Sequence, residues 1–341
     1  MGTSTVTFNA TALGKTITSR GFPFNNIYFN GGSGYWTLQD SMTVTSTATF
    51  TNGTFDTKAT SSFGMSVGSD WVSNGGTLAL NNSTITFTGA GTSTSTLLGS
   101  TTFYSLTCII PGKTLTMATN STQTVTNLLT LTGASGNLIK VNSTLSGTLA
   151  YLNNGGSNSV SFISAKDNNA NAGITIAAGA SSTNIGNTFN WLFGAPTLSV
   201  TLSPKPYDFA TVNLGGTTVS TSAVAVNNSG NVTETYSLSV ATTGAQSVWA
   251  VGTGLPTSND TFVLSGGFNT TPPPPSSFVL PTDVIISTPA AASGTIFAMN
   301  QTGYRALPSV TNNLWLRLDM PLTTSTTIQQ LMTLTVTAGY P

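Results

Sequence analysis

The 341-residue chain has no histidine, one cysteine, nine Lys or Arg and nine Asp or Glu, so only 5% of it is charged. A soluble domain ordinarily carries about 25%. Without imidazole there is no His-centred triad and no His metal ligand. Zero net charge drawn from so few cations leaves no basic patch to neutralise phosphates, which makes nucleic acid a poor partner. Cys108, alone, excludes a disulfide within the chain. It lies in the apolar stretch Leu106 to Ile110, with few cations nearby, and reads as a small buried hydrophobe and not as a nucleophile. No apolar run reaches the roughly 18 residues of a membrane-spanning helix. Met1 to Thr18 has neither a basic leader nor a continuous apolar stretch, so it does not read as a signal peptide.

What the chain does have is 38% hydrophobic residues, enough to fill cores in two domains. Its surface must then be made of Thr, Ser, Asn and Gly, which favour strands and turns over helices. An internal repeat organises the first half. Ser4-Thr5-Val6-Thr7-Phe8 returns as Ser83-Thr84-Ile85-Thr86-Phe87, and Phe24-Asn25-Asn26-Ile27 as Phe103-Tyr104-Ser105-Leu106, both after 79 residues. Thr43-Val44-Thr45 and Thr49-Phe50-Thr51 return as Thr124-Val125-Thr126 and Thr130-Leu131-Thr132 after 81. Short alternating runs between Gly, Asn and Asp clusters read as strands with one face inward and hydroxyls outward. A parallel solenoid and a series of antiparallel sandwiches both accommodate this pattern. The solenoid is favoured, because stacked coils tolerate Thr and Asn ladders where Lys ladders would repel.

The strings Thr101-Thr102-Phe103-Tyr104-Ser105-Leu106-Thr107, Pro111-Gly112-Lys113-Thr114-Leu115-Thr116 and Leu129-Thr130-Leu131-Thr132-Gly133 resemble the repeats of bacterial cell-surface β-helix proteins. Val160 to Ala170 and Gly186 to Phe193 are similar to the final coils of that group. The resemblance spans about residues 1–194 and implies an extracellular architecture without a catalytic activity.

From residue 195 the strand patterns lengthen, as in Leu198 to Leu202 and Tyr236 to Val240. Tyr207 to Gly216 followed by Ser222 to Asn231 resembles immunoglobulin-like domains, with Ala210 where a glycine is usual. Further runs at Thr261 to Leu264, Phe278 to Leu280, Gly294 to Met299, Leu314 to Asp319 and Met332 to Thr337 supply strands for a two-sheet sandwich. Pro272 to Pro275 lack the ladder donor and read as a stiff surface loop. The expected fold is therefore all-β: a parallel β-helix over 1–194 and an immunoglobulin-like β-sandwich over 195–341.

Candidate chemistry is sparse. Asp40, Asp56, Asp70 and Asp167 are the only acids of the first half, and none stands in the paired arrangement that general acid and base work requires. Lys166 to Asn171 is oxygen-rich but lacks the spaced carboxylates of a calcium loop and reads as a turn. The chain is accordingly expected to be no enzyme, with no cofactor and no metal. Tyr35, Trp36 and Trp71 are candidates for stacking on sugars, with Trp249 a further aromatic of that kind. Sequons place candidate glycan acceptors at Asn9, Asn52, Asn142, Asn231 and Asn300. Lys and Glu discourage association, and solenoid coils end in unpaired backbone. The expected role is thus a homopolymer of copies of this chain, as an extracellular or cell-surface filament, sheath or layer. The alternatives are a virion tail-fibre or capsid component and a glycan-binding adhesin.

Overall fold

In a computed structural model, which describes residues 3–244, 246–255 and 257–341, the chain is all-β apart from one short 3-10 turn at Pro275–Ser277. It divides into two compact units, Met1–Ala195 and Pro196–Pro341.

The first unit is a β-solenoid of about 8 turns. Each early coil contributes to three ladders in turn, and the strand pairs of the stack are parallel, with the register shifting at bulges such as those between Phe29 and Tyr35 and between Phe103 and Ser105. Val6, Ile27, Ala48, Trp71, Leu97 and Met117 stand over one another on the first ladder. Trp36, Phe55 and Leu78 do so on the second, and Met42, Met65, Ile85, Leu106 and Leu129 on the third. Alternation sends these residues into a core that runs the length of the unit. Rings form its axis: Phe8 stacks on Phe29 at 4.5 Å and Phe29 on Phe50 at 5.3 Å, followed by Trp71 at 4.8 Å and Phe103 at 5.5 Å. Corners are tight. Gly99 (φ 77°) is required where it stands, since a Cβ there would meet the Ser73 carbonyl oxygen.

The coil is the structural period, and its length varies from 15 residues between Ile176 and Trp191 to 29 between Leu129 and Asn158. The 79-residue repeat is a different thing. Val6 stands on the first ladder and its sequence equivalent Ile85 on the third, so the repeat advances three coils and two further ladders.

In the second unit, Val200–Ser203, Val224–Asn228, Thr311–Asp319, Thr261–Phe268 and Ala250–Val251 form the spine of one sheet. Ala290–Ala291, Thr235–Thr243 and Leu331–Gly339 form a second, antiparallel sheet. One core joins them, with Val226, Leu264 and Leu316 from the first sheet and Tyr236, Leu238 and Val240 from the second. Two expected strands are absent. Phe278 to Leu280 and most of Gly294 to Met299 are turn and loop, because Asp283 gathers the backbone N–H groups of Val279 and Phe297 and so replaces a ladder by a carboxylate knot. Ala210 adopts the left-handed φ of 57° that a glycine would take without strain.

Candidate functional site

The acids of the solenoid do not converge. Asp40 accepts from the N–H groups of Ser19 and Arg20 and from the Ser19 hydroxyl, and the Ser19 N–H bond, the largest contribution, holds its carboxyl below the usual range. Asp56 accepts from the Tyr35 hydroxyl at 2.8 Å, Asn81 at 2.7 Å and the Lys58 N–H at 2.8 Å. Asp70 accepts from the Thr96 N–H. Asp167 accepts from Asn187 and the Gly147 N–H at the turn between coils; the Asn187 bond chiefly holds it low. Each carboxylate ties one coil to another. Among the described residues no three of His, Cys, Asp and Glu gather as a metal site would require.

The aromatic candidates lie in the core. Trp36 is 3% exposed, with its ring against Phe29, and Trp71 is fully buried with its indole N–H donated to Thr101 at 3.0 Å. A ring walled in on both faces cannot stack on a sugar, so sugar stacking by Trp36 and Trp71 is set aside. Both are inward positions of ladders, and depth of burial is decided by the coils above and below. Tyr35 is half-buried and its hydroxyl is committed to Asp56. The acceptor asparagines differ: Asn9, Asn52, Asn231 and Asn300 are exposed and Asn142 is half-buried. Asn52 donates to Asn30 of the neighbouring coil at 2.6 Å, and Asn300 to Thr270.

Two features went unread in the sequence. Lys113 is fully buried, its ammonium donating to the Gly68 carbonyl at 3.1 Å and to Ser93 Oγ at 2.8 Å. Burial pushes its pKa down. Cys108, also fully buried, has its thiol pushed up for the same reason, as befits an inert core residue. No local signal could have placed Lys113 inside, because its carbonyl partner is 45 residues away.

The second feature is an apolar slot of about 1000 Å³ in the second unit. The two sheets gape along one side. Leu202, Leu316 and Leu318 line one wall, Met332 and Leu334 the other, and half-buried Trp249 also lines the space. The strands that border the opening are edges. Val200–Ser203 pairs only with Val224–Asn228, and Leu331–Gly339 only with Thr235–Thr243, among the described residues. Their inward residues Val200, Leu202, Met332 and Leu334 are therefore only half-buried. In the buried interior of the unit, burial disfavours charge and pushes the carboxyls of Glu234 and Asp283 up.

Comparison with protein families, curated proteins and solved structures finds no match to this chain. What it can do is therefore read from the geometry: a charge-poor stack of hydroxyl ladders, and a second unit of two sheets over one core with an apolar slot beside it.

Proposed function

We propose that the chain is a non-enzymatic structural subunit that packs against copies of itself in an extracellular or cell-surface filament, sheath or layer. The observation that carries this reading is the outer face of the third ladder. Thr43, Ser66, Thr86, Thr107, Thr130 and Ser159 stand there in parallel register with no charged residue among them. Flanks normally display Lys and Glu, whose mobile, hydrated heads resist contact. A flank of hydroxyls about 4.8 Å apart offers donors and acceptors to a neighbour at little desolvation cost. The solenoid belongs on this reading with bacterial cell-surface β-helix proteins, and the second unit, two sheets over one core, with immunoglobulin-like domains.

Light scattering over a concentration series, with negative-stain microscopy of the concentrated protein, tests the proposal. Filaments, sheets or a mass that grows with concentration are the expected result. A stable monomer at every concentration removes it.

A further inference from the structure

The slot in the second unit is large enough for a guest molecule. Its volume of about 1000 Å³ stands at the upper end of the roughly 300–1,000 Å³ of pockets that hold small molecules. Its walls are two facing rows. Leu316, Leu318 and Met320 take alternate positions along and just past the Thr311–Asp319 strand, and Met332, Leu334 and Val336 do the same along Leu331–Gly339. Side chains two apart on a strand share a face and are about 6.6 Å apart, so each row is an apolar wall roughly 13 Å long. Neither row carries a side-chain nitrogen or oxygen. Trp249 adds its ring, with the indole N–H already donated to Thr324 at 3.0 Å. A polar group between the rows would lose its water and find no partner. What lies there must be apolar, long and thin.

The mouth is polar, and two charged residues line it. The Asp208 carboxylate accepts the N–H of Ala210 at 2.8 Å, within its own turn. The Lys205 ammonium is exposed and makes no hydrogen bond or ion pair with the described residues. Two other polar side chains there are committed to backbone: the Tyr207 hydroxyl accepts the Thr221 N–H at 2.7 Å, and Gln330 accepts the Val248 N–H at 2.9 Å. The cation without a partner thus stands at the opening of a cleft whose walls are aliphatic.

We infer that the slot binds a single unbranched aliphatic chain ending in a carboxylate, with the chain between the two rows and the head at Lys205. Affinity comes from covering the half-buried Leu202, Met332 and Leu334. The two methionines, Met320 and Met332, are flexible enough to close on a chain of uncertain width. Lys205 attracts one negative charge, and Asp208 on the same rim disfavours a head that carries two. The inference goes beyond the assembling role and does not depend on it, because both walls and the mouth belong to one chain.

Calorimetric titration of the full-length chain with decanoate, decanol and decyltrimethylammonium, each kept below its micelle concentration, tests the site, and native mass spectrometry counts the molecules bound. The expected result is one decanoate per chain, with decyltrimethylammonium at least tenfold weaker. Lys205→Gln is expected to weaken decanoate at least fivefold and to leave decanol unchanged, whereas Lys15→Gln, at an exposed lysine of the solenoid, changes neither. Leu334→Trp fills the slot from a half-buried position and is expected to abolish binding of both; its melting temperature shows whether the chain still folds, and Met332→Trp serves if it does not. No decanoate bound by the wild type, binding that survives the filled slot, or a cationic head bound as tightly as the carboxylate overturns the inference. Light scattering on the same samples keeps the two proposals apart: a chain that assembles and binds no decanoate loses only this site, and one that binds decanoate as a permanent monomer loses only the assembling role.

Discussion

The solenoid and the second unit solve the same problem from opposite directions. The solenoid stacks parallel strands so that each coil covers the one before it, and it leaves apolar residues exposed on its first and last strands, at Val6 and at Ile185 and Phe189. The second unit lays one sheet on another, which seals the middle and leaves a side uncovered, at Leu202, Met332 and Leu334. Exposed apolar surface in a β protein thus marks where its own pairing rule stops, and the two rules stop in complementary places.

The comparison breaks most sharply at Trp71. Its ring is held between Phe50 and Phe103, and Trp71→Ala is expected to cost about 3–5 kcal/mol, read as a shift in denaturant midpoint. Hydrogen exchange should show the loss in the coils around residues 50 and 103 and leave the second unit as protected as before; a uniform loss would show the units to be one cooperative body. Within the second unit, Leu238→Ala in the closed core is expected to cost about 2–5 kcal/mol. Leu334→Ala in the slot should cost less than about 1 kcal/mol in dilute monomer, because its side chain is half in water already. Equal costs would mean the slot is closed in solution.

Buried Lys113 and the buried acids of the second unit should also titrate in opposite senses. Lys113 has its pKa lowered by burial, so the unfolded chain binds that proton more tightly between the depressed folded value and the ordinary lysine value of about 10.4. Lys113 then contributes a stability that rises with pH across that window, opposed by the buried Cys108 thiol of the same unit, whose raised pKa contributes a fall. Glu234 and Asp283 have theirs raised by burial, so the folded second unit holds those protons more tightly. Its stability must fall as pH climbs from the ordinary carboxylate range, about 4, through the raised values. Denaturant midpoints against pH, followed by exchange in each unit, check both slopes, and Lys113→Met should abolish the alkaline rise. The smallest expected effect is at the outer ladder: Thr86→Val should change the stability of the monomer by no more than about 0.5 kcal/mol. A large effect there would show that the hydroxyls hold coils together and do not merely face outward.

Much of the fold was legible in the residues. Alternation in Thr84-Ile85-Thr86-Phe87 fixes which side chains face in, and the scarcity of charge is what a stack of like residues demands. The coil length was not legible, since all three ladders use the same inward and outward alphabet and a strand does not record which ladder it joins. The slot was hidden for a similar reason: Met332 and Leu334 alternate as any core strand does, and only the absence of a neighbouring strand leaves them half-covered. Lys113 was read within a turn and strand because its partners come from other coils.

The mismatch between the 79-residue repeat and the coil has a consequence for anyone redesigning this molecule. Matching letters face different compass points, like marks on a screw whose thread does not divide the shaft evenly. A substitution copied from Val6 to Ile85 would meet strangers, while one copied from Ile85 to Leu106 would meet the same neighbours one storey up.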